Sequence, residues 1–118
     1  MARENAANLG LADRLALLRS DWTAGLGDAS FDRVVSNPPY IATHVIETLE
    51  PEVRDHEPRL ALDGGPDGLT YYRTLLKQLK EFSTRYSLHA TYLIFEICPH
   101  QSDDIQTLAR HYFPSCKI

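Results

Sequence analysis

The chain has 118 residues, with 12 basic against 16 acidic side chains and a net charge of −4. That length admits at most one domain, large enough for a core, and the acidic balance leaves no electrostatic footprint for nucleic acid. Neither the two cysteines nor the five histidines show metal-ligand spacing, and no stretch reads as a signal peptide or membrane span, so a cytoplasmic protein with reduced thiols and no metal is expected.

In chain order, Ala2 to Leu9 reads as the tail of a helix with Gly10 as its C-cap. Leu15 to Leu18 is a brief apolar run with the reading of a strand, closed by Ser20-Asp21-Trp22. A polar loop through Gly25 and Gly27 leads to a short strand over Phe31–Ser36, in which Val34 and Val35 are buried. The stretch from Ala42 to Gly68 carries prolines at 51, 58 and 66 and reads as irregular, with a short helix around Val45–Leu49. From Leu69 to Tyr86 the apolar residues Leu69, Tyr72, Leu75, Leu76, Leu79 and Phe82 recur at helical spacing. Ala90–Ile97 is the most apolar and β-rich run and is expected to be a central strand. Gln101 or Ser102 opens a further helix through Tyr112, and Ser115–Ile118 begins a last strand. Strand–helix alternation of this kind predicts an α/β fold with a parallel sheet.

The most informative stretch is Asn37-Pro38-Pro39-Tyr40, directly behind the strand at Phe31–Ser36. Two prolines cannot continue a ladder, and both Asn37 and Pro38 precede a proline, which pushes them toward extended backbone. A stiff loop results, and open α/β sheets bind ligands beyond the carboxyl ends of their strands. An amide or exocyclic amino nitrogen is a poor nucleophile because its lone pair is delocalised. Its two N–H groups can be accepted by Asn37 Oδ1 and the Pro38 carbonyl, while Tyr40 packs over the planar group. Orientation of that kind removes several kcal/mol of a barrier. The competing reading is a simple β-turn after a strand; the whole Val-Val-Ser-Asn-Pro-Pro-Tyr context favours the catalytic loop.

These residues carry a resemblance. Together with Ala2-Arg3-Glu4-Asn5-Ala6, Ser20-Asp21-Trp22, Glu50-Pro51-Glu52-Val53, Glu57-Pro58, Ala61-Leu62, Gly64-Gly65, Asp67-Gly68-Leu69, Tyr72-Arg73, Glu96-Ile97 and Gln101, the chain resembles the HemK-like protein glutamine methyltransferases. Asn-Pro-Pro-Tyr alone is shared with enzymes that methylate adenine amino groups in DNA; the Glu-Pro…Ala-Leu…Gly-Gly…Asp-Gly-Leu series is narrower. The resemblance implies methylation of a glutamine side-chain amide in peptide-chain release factors, with S-adenosylmethionine as cofactor. It also implies an incomplete Rossmann-like, class I methyltransferase sheet lacking its first strands. Residues 1–118 would be a partial catalytic domain, without the helical substrate-recognition domain and glycine-rich cofactor loop of the family, from a shortened gene or a cut piece. Within the span, His56 stands where the family usually has Tyr, and Cys98 where it usually has Gly.

By the same resemblance Asn37, Pro38 and Tyr40 are catalytic, and Pro39 joins them in gripping the substrate. Asp21 and Trp22 fall where the cofactor's adenine sits, with Asp21 accepting from its amine, Trp22 lining the ring and Asn37 also touching the cofactor. Glu57, before Pro58, orients the substrate loop or caps a turn. Glu96 lies in an apolar run where an unpaired carboxylate is costly, and reads as structural, at the strand's end with a partner. Tyr71, Tyr72 and Tyr86 read as helix-face packing. The release factor is the expected partner, with neither membrane nor nucleic acid; the alternatives are amino methylation of adenine in nucleic acid and a non-catalytic remnant.

Overall fold

The computed structural model describes residues 1–27, 31–86 and 92–118. Helix α1, Ala2–Asn8, stops where the sequence says it must. The Leu11 N–H donates to the Ala6 carbonyl at 2.8 Å and the Gly10 N–H to the Ala7 carbonyl at 3.0 Å. That pair closes the helix end with Gly10 at φ +65°, a left-handed angle at which glycine avoids the clash of a Cβ. A 3-10 turn, Ala12–Arg14, follows.

The expected strand at Leu15–Leu18 does not form. Leu15 is extended, at φ −120° and ψ 125°, but the segment joins no ladder. Leu15, Leu17 and Leu18 stay 50%, 50% and 59% exposed. Four apolar residues become a strand only when a neighbour takes up their N–H and C=O groups.

Strand β1, Arg33–Ser36, and strand β2, Tyr92–Phe95, pair in parallel with Arg33 opposite Tyr92 and Ser36 opposite Phe95. This pair makes a small two-stranded sheet, so the fold is α/β. Both strands are shorter than expected; positions 90 and 91 of the second lie outside the described residues. Nor is either one central or fully buried. Val35, Tyr92 and Ile94 on one face are 71%, 56% and 48% exposed, whereas Val34, Leu93 and Phe95 on the other are half-buried. A period-2 pattern with one covered face is what a single helical layer on a sheet produces.

Parallel strands need a crossover, and this one is rich in short helices. It carries a 3-10 segment at Thr43–Thr48, α2 at Pro51–Arg54, α3 at Arg59–Leu62 and the long α4 at Thr70–Tyr86. The stretch expected to be irregular therefore holds three helical turns, with Pro51 at the first helical position, where its missing N–H costs nothing. Helix α5, Ser102–Tyr112, follows a 3-10 turn at Pro99–Gln101. Asp103 and Asp104 sit in its first turn and Arg110 and His111 in its last, the order that suits the helix dipole. The core is the predicted stripe of α4: Leu69, Tyr72, Leu75, Leu76, Leu79 and Phe82 are all buried, with Ile105 of α5 and Ile46. Tyr72 meets Phe95 of β2 edge-on at 6.0 Å, and Phe31 lies 6.2 Å from Phe82. Ser115–Ile118 forms no strand; Ser115 lies in a turn closed by the Cys116 N–H on the Phe113 carbonyl, and the last residues have no ladder partner.

Candidate active site

The ladder continues one step beyond both strands, since the Glu96 N–H donates to the Ser36 carbonyl at 3.0 Å. Asn37 and Glu96 therefore leave the sheet side by side at its carboxyl end, the edge where open α/β sheets bind ligands. Asn37 is exposed, Pro38 fully buried, and Pro39 and Tyr40 half-buried. The buried ring fixes the loop and leaves the amide of Asn37 facing outward.

Behind this loop lies the glycine-rich segment 63–69. Ile41 donates to the Leu62 carbonyl at 3.1 Å and accepts from the Gly64 N–H at 2.7 Å, making a parallel bridge between Ile41 and Asp63. The Thr43 N–H reaches the Gly65 carbonyl at 2.9 Å. Asp63 ties the two segments together, accepting from Thr43 Oγ1 at 2.7 Å and from the Gly65 N–H at 3.0 Å. The Thr43 hydroxyl, followed by that N–H, holds the Asp63 carboxyl below its ordinary range. The packing is backbone on backbone: a Cβ at Gly64 would sit 2.9 Å from the Pro39 carbonyl oxygen, and one at Gly68 would collide with the Tyr40 carbonyl and Gln101 Nε2. Residues 65–68 form a turn closed by the Gly68 N–H on the Gly65 carbonyl. Asp67 in that turn accepts from the Leu69 N–H and is gripped by both terminal nitrogens of Arg73. The Arg73 guanidinium draws the Asp67 carboxyl down to about 2.

A third segment, 96–101, completes the enclosure. Tyr40 donates its phenolic proton to Glu96 Oε1 at 3.1 Å, and Tyr72 donates from the core to the Glu96 carbonyl at 2.7 Å. Gln101, 3% exposed, donates from Nε2 to the Tyr40 carbonyl at 3.0 Å. Its Oε1 is buried with no partner among the described residues, so Tyr40 is held at both its main chain and its ring. The Glu96 hydrogen bond, followed by partial burial, raises the Tyr40 phenol above its ordinary range, and burial pushes Tyr72 up to about 12. Both phenols are neutral donors near pH 7. The edge around Asn37 is consequently rich in acceptors: Asn37 Oδ1, the lone pairs of Tyr40 Oη and the carboxylate of Glu96. Such an edge suits a ligand that presents N–H groups.

The structure brings Asn37, Pro38, Pro39 and Tyr40 into one clamped loop. Asp21 and Trp22 are placed elsewhere, on α4. Trp22 adopts φ 52° and lies 5.4 Å from the Tyr71 ring, while Thr23 donates from its N–H and hydroxyl to Gln78 Oε1, each at 3.0 Å. Asp21 is exposed, and its carbonyl accepts from the Ala24 N–H to close the turn. Tyr71 also lines a hollow of about 400 Å³ with Asp63, Gly65 and Thr70. Glu57 is exposed in the bend after α2, its N–H on the Val53 carbonyl, and no described contact links it to Asn37. Sequence reasoning assigned Glu96 a structural part and gave Gln101 none. The signal that finds them is their spacing from the end of β2, legible only once the register with β1 is known.

No protein-family model and no solved structure matches the chain. Curated proteins do. The chain is 59% identical over 110 residues to the release factor glutamine methyltransferase of Caulobacter vibrioides, covering 93% of this chain and 37% of that protein. It is 48% identical over 81 residues to that of Agrobacterium fabrum, covering 69% and 28%. A bifunctional methyltransferase of Rickettsia felis is 40% identical over 82 residues, covering 70% and 16%. The chain thus spans 37%, 28% and 16% of the lengths of these three relatives.

Proposed function

We propose that this chain, a relative of the release factor glutamine methyltransferases over 93% of its length, is part of the catalytic domain of such an enzyme. On this reading β1 and β2 are neighbouring strands of a Rossmann-like sheet, and the protein works in the cytoplasm on a release factor. The observation that carries the proposal is the Asn37–Tyr40 loop, clamped by segments 63–69 and 96–101 beside Glu96 at the carboxyl end of a parallel strand pair.

The residues present suit S-adenosylmethionine at its adenine end, where the exposed Asp21 carboxylate can accept from an exocyclic amine and the half-buried Trp22 offers a ring face. Asn37 would contact the cofactor from the substrate side. When bound, the cofactor supplies an electrophilic methyl group on a sulfonium. The chain's own work is on the amide. Asn37 Oδ1 and the Pro38 carbonyl accept the two in-plane N–H groups of the glutamine carboxamide, which leaves the face of the nitrogen free for bond formation. Pro39 and the ring of Tyr40 confine the amide plane, and Glu57 is assigned to the substrate side of the cleft. Because the loop is already rigid, its ordering entropy is spent during folding and not during the reaction.

The test offers the protein carrying these residues a release-factor protein and an adenine-containing duplex, each with labelled methyl donor. Label on a glutamine of the protein substrate is expected. Label on the duplex and none on protein would overturn the assignment.

A further inference from the structure

Glu96 is the one carboxylate that touches the Asn37–Tyr40 loop among the described residues. It is exposed, it sits next to Asn37 in register, and it takes the phenolic proton of Tyr40. A phenol has a single proton; once that is committed, only the oxygen's lone pairs face a ligand. The Glu96 side chain therefore sets the polarity of its neighbour as well as adding a charge of its own. Its main chain is fixed from both sides, by the N–H on Ser36 and by Tyr72 on its carbonyl. Gln101 holds the Tyr40 carbonyl, which fixes the main chain from which the phenol reaches Glu96.

We infer that Glu96, through Tyr40, is a specificity-determining residue that admits a neutral carboxamide and rejects a carboxylate of the same shape. This rests on the function proposed above and deepens it. A glutamine side chain brings two N–H donors to an acceptor-rich edge, whereas a glutamate brings only acceptors and a like charge. Repulsion between two carboxylates held several ångströms apart near a protein surface is on the order of 1–3 kcal/mol, which is roughly a ten- to hundredfold change in binding.

The experiment uses the release factor that accepts the methyl group, with its modified glutamine mapped, and the same factor with that glutamine changed to glutamate. Binding of both is measured calorimetrically without methyl donor, and the glutamate form is also tested as a competitive inhibitor. The wild type should bind the glutamate form at least roughly tenfold more weakly. In Glu96→Gln the gap should shrink to within about threefold, because the charge is gone and the amide can donate. Glu96→Asp, which keeps the charge, should keep most of the gap, and Glu81→Gln, an exposed carboxylate on α4, should leave it intact. Since the Glu96 side chain is exposed, unchanged circular dichroism is expected to show that the variants fold. An equal gap in wild type and Glu96→Gln, or no gap in the wild type, would overturn this inference while leaving the methyltransferase reading standing. Failure of the whole protein carrying these residues to methylate any glutamine would remove that reading and this one with it.

Discussion

Changing Gly68 to alanine tests how tightly the loop is clamped. Gly68 has φ +74°, and a Cβ there would collide with the Tyr40 carbonyl and with Gln101 Nε2. The left-handed angle alone costs a non-glycine residue about 1–2 kcal/mol. Overpacking adds about 1–3 kcal/mol, because the Tyr40 carbonyl is main chain and cannot rotate aside as a side chain would. Reduced freedom of the unfolded chain returns about 0.4–1 kcal/mol, leaving a net loss of about 1–5 kcal/mol. Gly10 provides the internal comparison: its φ is +65°, yet nothing lies within 4 Å of the position its Cβ would take. Gly10→Ala should therefore show the backbone term alone, about 0–1.6 kcal/mol after the same offset. Urea denaturation of the two variants and the wild type measures the difference directly. The two should also separate in methyl transfer, since only Gly68→Ala displaces Tyr40. If Gly68→Ala is no less stable than Gly10→Ala, the backbone packing of 63–69 on the Asn37–Tyr40 loop is not what holds that loop.

In the whole protein carrying these residues, Asn37→Ala should lower turnover by roughly one to two orders of magnitude, the effect of leaving a desolvated N–H unpaired at about 1–3 kcal/mol, with the loss in kcat more than in KM; an unchanged kcat would take the chemistry away from this loop. Tyr40→Phe should be milder, because the ring that covers the amide remains. Asp67, whose carboxyl is drawn down to about 2 by Arg73, stabilises the fold above the ordinary carboxylate range and ceases to do so as pH falls through about 2. Asp67→Asn should then cost at most about 1 kcal/mol at pH 7, since the pair is half exposed, and the difference from wild type should vanish in acid; a difference that grows on acidification would reverse the sign of this argument. Finally, Leu15, Leu17 and Leu18 are exposed, as are Val35, Tyr92 and Ile94 on one face of the two-stranded sheet, so the 118-residue chain alone should self-associate. Sedimentation of a compact monomer with a cooperative, high-temperature melt would contradict this.

Much of the scaffold was legible because it is periodic. The α4 stripe from Leu69 to Phe82 announced both the helix and the core, and Gly10 marked a helix end that the hydrogen bonds confirm. Leu15–Leu18 and Ser115–Ile118 misled for one shared reason: a short apolar run is compatible with a strand, but the ladder partner that makes it one is not written locally. The helix expected around Val45–Leu49 is there as a 3-10 segment, Thr43–Thr48, whereas the turns at Pro51–Arg54 and Arg59–Leu62 are too short to show a period at all. At the site, the Asn-Pro-Pro-Tyr loop was visible because proline constrains backbone wherever it stands. Glu96 and Gln101 were not read as its partners, because their meeting with Tyr40 depends on the register of β1 against β2 and not on any nearby residue.

Tyr40 lies 61 residues before the glutamine that holds its carbonyl and 56 before the glutamate that holds its ring. A chain synthesised at about 5–20 residues per second exposes the finished Asn37–Tyr40 segment for about 3–12 s before Gln101 is even made. Until residues 92–95 are made, Val34 and Val35 lack the parallel neighbour that β2 provides. The nascent chain thus carries β1 without this parallel neighbour until Tyr92–Phe95 is made, and the segment from there to Gln101 decides whether the clamp on Tyr40 assembles. A ribosome pause or a premature stop between residues 41 and 92 would leave that strand without its partner and the loop without its clamp, whatever the quality of the residues already made.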